Sequence, residues 1–125
     1  MMKSILLAVV VAVMPVVANA ACAQKDFQGR WVLHVFDATG WLRCLISVNQ
    51  KGVVLPSKCT DSEGTPGQAS GSFVFQAPEC LFQGQIIIRQ VSLSLTRGVM
   101  ATHKQTADGV TVIQGNSVSF NMTKL

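Results

Sequence analysis

Gln85-Ile86-Ile87-Ile88-Arg89-Gln90-Val91-Ser92-Leu93-Ser94-Leu95-Thr96-Arg97 is the most strongly patterned run in this sequence. From Val91 the alternation is strict: Val91, Leu93 and Leu95 point one way, and Ser92, Ser94 and Thr96 the other. A period of two marks a half-buried strand. Upstream the apolar phase is opposite, because Ile86 and Ile88 are even-numbered. One regular strand cannot place both sets on one face, since a one-residue slip turns every side chain over. A β-bulge near Arg89-Gln90 would restore the phase. A two-residue turn there would instead pair Ile88 with Val91 and Ile86 with Leu93. Neither Arg nor Gln suits the positive φ of such a turn. The bulge or bend is therefore favoured, and the run reads as the bent middle of a sheet.

The flanking sequence repeats the strand signal. Trp31, Leu33 and Val35 alternate with Val32, His34 and Phe36, and Asp37-Ala38-Thr39-Gly40 is a turn by composition. Leu42, Cys44, Ile46 and Val48 form one face of a second strand. Phe73 and Phe75 share a face, Ala77-Pro78-Glu79 is a turn, and Val99 to Thr106 reads as a strand. Asp108-Gly109 is a hairpin signal followed by Val110 and Val112, with a second turn at Gly115-Asn116. Val118, Phe120 and Met122 then face inward. About eight short strands, evenly spaced turns and no helical pattern predict a small antiparallel up-and-down barrel or sandwich.

Residues 1–20 read as a secretory signal peptide of bacterial character. Lys3 precedes the apolar stretch Ile5–Ala18, and Ala18-Asn19-Ala20 fits the small-x-small cleavage rule. Residues 21–125 then form a single exported domain, periplasmic or secreted. Asn19-Ala20-Ala21 before Cys22 lacks the aliphatic residue of a lipoprotein signal. No other run is long and apolar enough for a spanning helix. The whole chain has 10 Lys and Arg against 6 Asp and Glu; without Lys3 the balance is 9 against 6, or +3. The cations are spread singly along the sequence, which argues against nucleic-acid binding.

Four cysteines in an exported chain read as two disulfides, with three possible connectivities. Zinc sites bring cysteines in close pairs, which this chain lacks. If Lys51-Gly52 is a two-residue turn, Val48 faces Leu55 and Cys44 faces Cys59. Opposed residues have Cα atoms about 4.5–5.5 Å apart, within reach of a disulfide. The expected bridges are Cys44–Cys59 and, by remainder, Cys22–Cys80. Pro56 would lie in this hairpin, which suits an edge strand.

Thr60 to Gly71 is the one long polar segment and reads as a loop. Together with the N-terminal segment it is the expected partner-binding surface, carried by Thr60, Asp61, Glu63, Thr65, Pro66 and Gln68, with Trp41, beside a turn, expected to be exposed. Catalytic signals are missing. His34 and His103 have no metal-ligand spacing, no G-x-S-x-G elbow occurs, and the carboxylates fall at turns. The expectation is a non-enzymatic protein with no cofactor and no metal.

Phe27-Gln28-Gly29-Arg30-Trp31-Val32-Leu33, then Cys44-Leu45-Ile46-Ser47-Val48 and Cys59, resembles the opening of the periplasmic alkaline metalloprotease inhibitors. The resemblance covers the first third of the chain. It implies a small lipocalin-like eight-stranded barrel with a disulfide between nearby cysteines. In that family a free N-terminal segment inhibits the protease; here Ala21–Asp26 is short and begins beside Cys22. The expected function is binding: an inhibitor of an enzyme or a partner of an envelope protein. The alternative is a carrier of a small apolar ligand in a lipocalin-like barrel.

Overall fold

The computed structural model describes residues 22–76 and 79–125. The signal-peptide segment and Ala77-Pro78 lie outside them. A short 3-10 turn, Gln24–Phe27, leads into eight strands: β1 Gly29–Asp37, β2 Gly40–Val48, β3 Val53–Asp61, β4 Pro66–Phe75, β5 Leu81–Ile88, β6 Val91–Met100, β7 Thr106–Ile113 and β8 Asn116–Lys124. Each strand pairs antiparallel with the next, and β1 pairs with β8, so the sheet closes as an up-and-down barrel. Of the two expected architectures, the chain adopts the barrel. Closure leaves no strand edge unpaired.

The run Gln85–Arg97 is a hairpin, not a bent strand. Ile88 pairs with Val91 and Ile86 with Leu93 across a two-residue turn. Arg89 and Gln90 both take left-handed conformations there, with φ of 49° and 70°. That overturns the favoured bulge. A positive φ at two ordinary residues is costly locally. Here β4 and β7 clamp β5 and β6 from either side and leave the connection no other path. A bulge does exist, but farther on: β6 shifts register between Leu95 and Arg97, and its buried positions move from Leu93 and Leu95 to Gly98 and Met100.

The β2–β3 hairpin contains two departures that cancel. Val48 pairs with Val54, not Leu55, because the turn is one residue longer than a Lys51-Gly52 turn. An irregularity around Pro56 then adds one residue to β3, so that Cys44 still pairs with Cys59. The disulfides are Cys44–Cys59 and Cys22–Cys80. Pro56 is not on an edge strand; its missing N–H is accommodated at the bulge.

Thr60–Gly71 is not a loop either. Thr60 and Asp61 end β3, Pro66–Gly71 begin β4, and only residues 62–65 connect them. Asp61 makes the tight turn possible: its Oδ1 accepts the N–H groups of Glu63 and Thr65, each at 2.9 Å. Asp108-Gly109 is likewise inside a strand. Gly109 pairs with Gly98, and a Cβ on Gly109 would lie 1.9 Å from the Arg97 carbonyl oxygen. Glycine is there for close backbone approach, while the connection falls at residues 101–105. In β7 the buried positions are Ala107 and Thr111, so Val110 and Val112 face outward. The last turn is Gln114-Gly115, one residue before the expected place.

The interior is graded along the barrel axis. At one end Phe27 stacks on Phe73 and Phe75, with ring centroids 5.0 and 4.3 Å apart. Phe82 meets them edge-on and reaches Phe120. Phe82 also covers Gly98, where a Cβ would lie 2.5 Å from its ring. Trp31, Leu33, Ile46, Ile86, Leu95 and Met122 fill the middle and are fully buried. Thr111 is the buried hydroxyl among them; it donates to the Ser94 carbonyl at 3.0 Å.

Candidate functional site: the open mouth of the barrel

The two ends differ, and the N-terminal segment makes the difference. Phe27 inserts under the end where the 49–52 and 101–105 connections and the start of β5 lie. Gln24 sews it down: its side-chain NH2 donates to the carbonyls of Lys51 and Phe73, and its Oε1 accepts the Phe75 N–H at 3.2 Å. Trp31 Nε1 donates to the Phe27 carbonyl at 2.8 Å. Cys22–Cys80 ties the start of the segment to the start of β5. Lys104 lies 3.4 Å from Asp26 Oδ2. Burial works against ionisation of Asp26. Hydrogen bonds from the Ala23 N–H and Lys104, with the charges of Lys104 and Lys124, outweigh it and hold the carboxyl below its ordinary range.

At the opposite end no segment of the described residues is inserted. The connections are short: Ala38-Thr39, residues 62–65, Arg89-Gln90 and Gln114-Gly115. Two clefts open between them and meet at Leu42 and Ile113. One, of about 260 Å³, is walled by Leu42, Ile88, Val91, Leu93 and Ile113, with Arg89 as its one charged wall residue. The other, of about 290 Å³, adds Val35 and Trp41 to Leu42 and Ile113, and carries Asp37, Asp61 and Glu63 on its rim. Ligand sites begin at about 300 Å³. Each cleft is just short of that, and the two together exceed it.

The polar rim is held by its own turns. Arg89 and Asp61 form an ion pair at 3.3 Å that bridges the β5–β6 and β3–β4 connections between the two clefts. The Thr65 N–H, then that of Glu63, and finally Arg89 keep the Asp61 carboxyl low. Asp37 is held low first by the Thr39 hydroxyl, then by the N–H groups of Thr39 and Gly40. Both stay ionised at neutral pH. The mouth is thus an apolar well with a charged collar.

The expected partner-binding residues divide. Asp61, Glu63 and Trp41 come together on the rim of the mouth. Thr65 supports Asp61 through its N–H. Thr60, Pro66 and Gln68 are exposed along β3 and β4 and take no part in the mouth. The apolar wall was missed by sequence reasoning. Ile88 and Val91 would have been found by taking the two-residue turn at Arg89-Gln90, which sets them side by side. Leu42 was read only as the first of its inward series, and Ile113 carried no signal.

A second, shallower groove lies outside the barrel wall. His34 pairs with Arg43 and Phe36 with Trp41 across β1 and β2. These four side chains line about 230 Å³. The rings of His34 and Phe36 stack at 5.6 Å. Phe36 and Trp41 are 47% and 43% exposed, large values for aromatic residues with neighbours on both sides. Among the described residues no group of three or more His, Cys, Asp or Glu side chains could hold a metal ion.

No family model matches the chain, and no curated protein matches it. Solved structures do. A de novo designed fluorescence-activating β-barrel matches with a TM-score of 0.64 and 14% identity, over 88% of this chain and 100% of its own. A redesigned β-barrel, mFAP1, bound to DFHBI, matches with a TM-score of 0.65 and 7% identity, over 82% of this chain and 98% of its own. At such identities the likeness is one of fold: this chain is similar to small designed β-barrels.

Proposed function

We propose that the protein is a non-enzymatic exported binder that holds a small, largely apolar molecule in the open mouth. One observation carries the reading. Phe27 plugs the barrel at one end, while at the other a cleft opens that is walled by Leu42, Ile88, Val91, Leu93 and Ile113. An apolar well with a few polar groups at its rim is the usual form of a small-ligand site. A barrel of about eight strands has room for one such ligand. The likeness to a designed barrel described as bound to DFHBI supports the same use of the fold. Two disulfides support an oxidising, exported setting.

Titration with Nile red, a neutral apolar dye, tests this. Saturable binding of one dye per chain is expected. It should be weakened at least tenfold by Leu42→Gln and by Ile113→Asp, with strand content unchanged by circular dichroism. Absence of saturable binding, or binding indifferent to both substitutions, refutes it.

A second reading, contact with another exported protein, is favoured by the exposed Phe36 and Trp41 beside Arg43. Aromatic residues and Arg dominate binding energy at protein interfaces. Metalloprotease inhibition through a free N-terminal arm has less support. Cys22, Gln24 and Phe27 hold that segment across the closed end. Incubating the protein with an alkaline metalloprotease tests that reading: stoichiometric inhibition would revive it.

A further inference from the structure

The fold gathers three of the singly spread cations, Arg30, Arg43 and Lys58, on one face. On a strand every second residue shares a face, about 7 Å from the last. On the outward face of β1–β3, Arg30 comes first, opposite Ser47. Lys58 follows, beside Leu45 and Val32. His34 and Arg43 form the next row, and Phe36 and Trp41 the last. Arg30, Arg43 and Lys58 are all exposed. The only carboxylates of these three strands are Asp37 and Asp61. Both are terminal residues that line the mouth instead. The face is therefore a ladder of positive charge about 13 Å long, ending in a paired aromatic platform.

We infer that this face binds an acidic polysaccharide, one whose sugar rings carry carboxylates. Both halves of the face are then used. The flat C–H side of a ring packs on Trp41 and Phe36 in the outer groove. Its carboxylate meets the Arg43 guanidinium, whose planar fork matches a carboxylate with two parallel hydrogen bonds. Lys58 and Arg30 meet carboxylates farther along the chain. An anionic bilayer fits less well, because Asp37 and Glu63 stand at the same end as the aromatic pair and would face it. The disulfides fit an oxidising, exported setting rather than the cytosol. This site shares Trp41 with the rim of the mouth but none of its apolar wall, and Ile113→Asp should leave it intact.

Trp41 provides the assay. Trp31 is fully buried and Trp41 is 43% exposed, so a ligand on the face changes one tryptophan signal and not the other. Titration with oligogalacturonate is expected to give saturable fluorescence change that weakens with added salt. Arg43→Gln should raise the dissociation constant about tenfold, the effect of losing one charged hydrogen-bonding partner. Lys58→Gln should raise it less, and neutral dextran should not bind. Unchanged affinity in Arg43→Gln overturns the inference. So does binding of poly(dT), poly-glutamate or anionic phosphatidylglycerol vesicles as tight as that of oligogalacturonate.

Discussion

Replacing Arg89-Gln90 by Asn-Gly should stabilise the barrel. Both residues sit at positive φ, 49° and 70°. An L-residue in that region costs roughly 1–2 kcal/mol. Asn tolerates it better than Arg, and Gly carries no penalty. Against this gain, Gly adds unfolded-chain entropy of about 0.4–1 kcal/mol. The Arg89–Asp61 ion pair is lost as well, but it is solvent-exposed and screened and adds little to stability. The balance is about +1 kcal/mol, or a rise in Tm of roughly 4–8 °C for a domain of this size. The assay is thermal and guanidinium unfolding of both proteins with disulfides intact, followed by circular dichroism. An equal or lower stability would refute the argument that this turn stores strain. A rise would also give a physical reason to look at Arg89, since sequences keep locally unfavourable residues mainly where the side chain is used, and Arg89 lines the mouth.

Phe27→Ala should cost about 3–5 kcal/mol, the usual loss for a fully buried aromatic residue; a loss below about 1 kcal/mol in urea unfolding would mean that Phe27 does not plug the closed end. Removing the Cys22–Cys80 bridge, whose cysteines are 58 residues apart, should destabilise by about 4 kcal/mol in the chain-entropy model, read by the same unfolding curves. Asp26 titrates lower in the folded chain than its ordinary 3.8, so its contribution is complete above that value and is lost as pH falls through the folded one. The Tm gap between wild type and Asp26→Asn should therefore be widest near neutral pH and close below about pH 4; a gap independent of pH would count against the Asp26–Lys104 contact.

Alternation made the barrel readable. Trp31, Leu33 and Val35, then Cys44, Ile46 and Val48, then Phe120 and Met122, are buried as the period of two requires. What sequence could not show was where closure overrides local preference. Arg89-Gln90 turns against its propensity because both flanking strands are clamped. Asp108-Gly109 fails to turn, because Gly109 is needed where β6 and β7 approach closely. The polar run Thr60–Gly71 looks like a loop, yet serine, glycine and glutamine suffice for an outer face when Ala69 supplies the inner one. The bridge Cys44–Cys59 was right through two offsetting register changes, around Lys51 and Pro56, that no pattern of hydrophobicity reveals. The mouth was half legible: Asp61, Glu63 and Trp41 were singled out as polar or exposed, while its apolar wall was indistinguishable from core. Its distinction is positional, since it is the part of the core that no side chain among the described residues covers.

The most direct test of the account is an amide and methyl NMR titration of the isotope-labelled protein with a small neutral apolar ligand such as 1-decanol. The account predicts saturable shifts concentrated at Leu42, Ile88, Val91, Leu93 and Ile113, with Phe27, Phe73 and Phe75 at the closed end undisturbed. Shifts confined to the closed end or to the outer wall, or none at all, would contradict it.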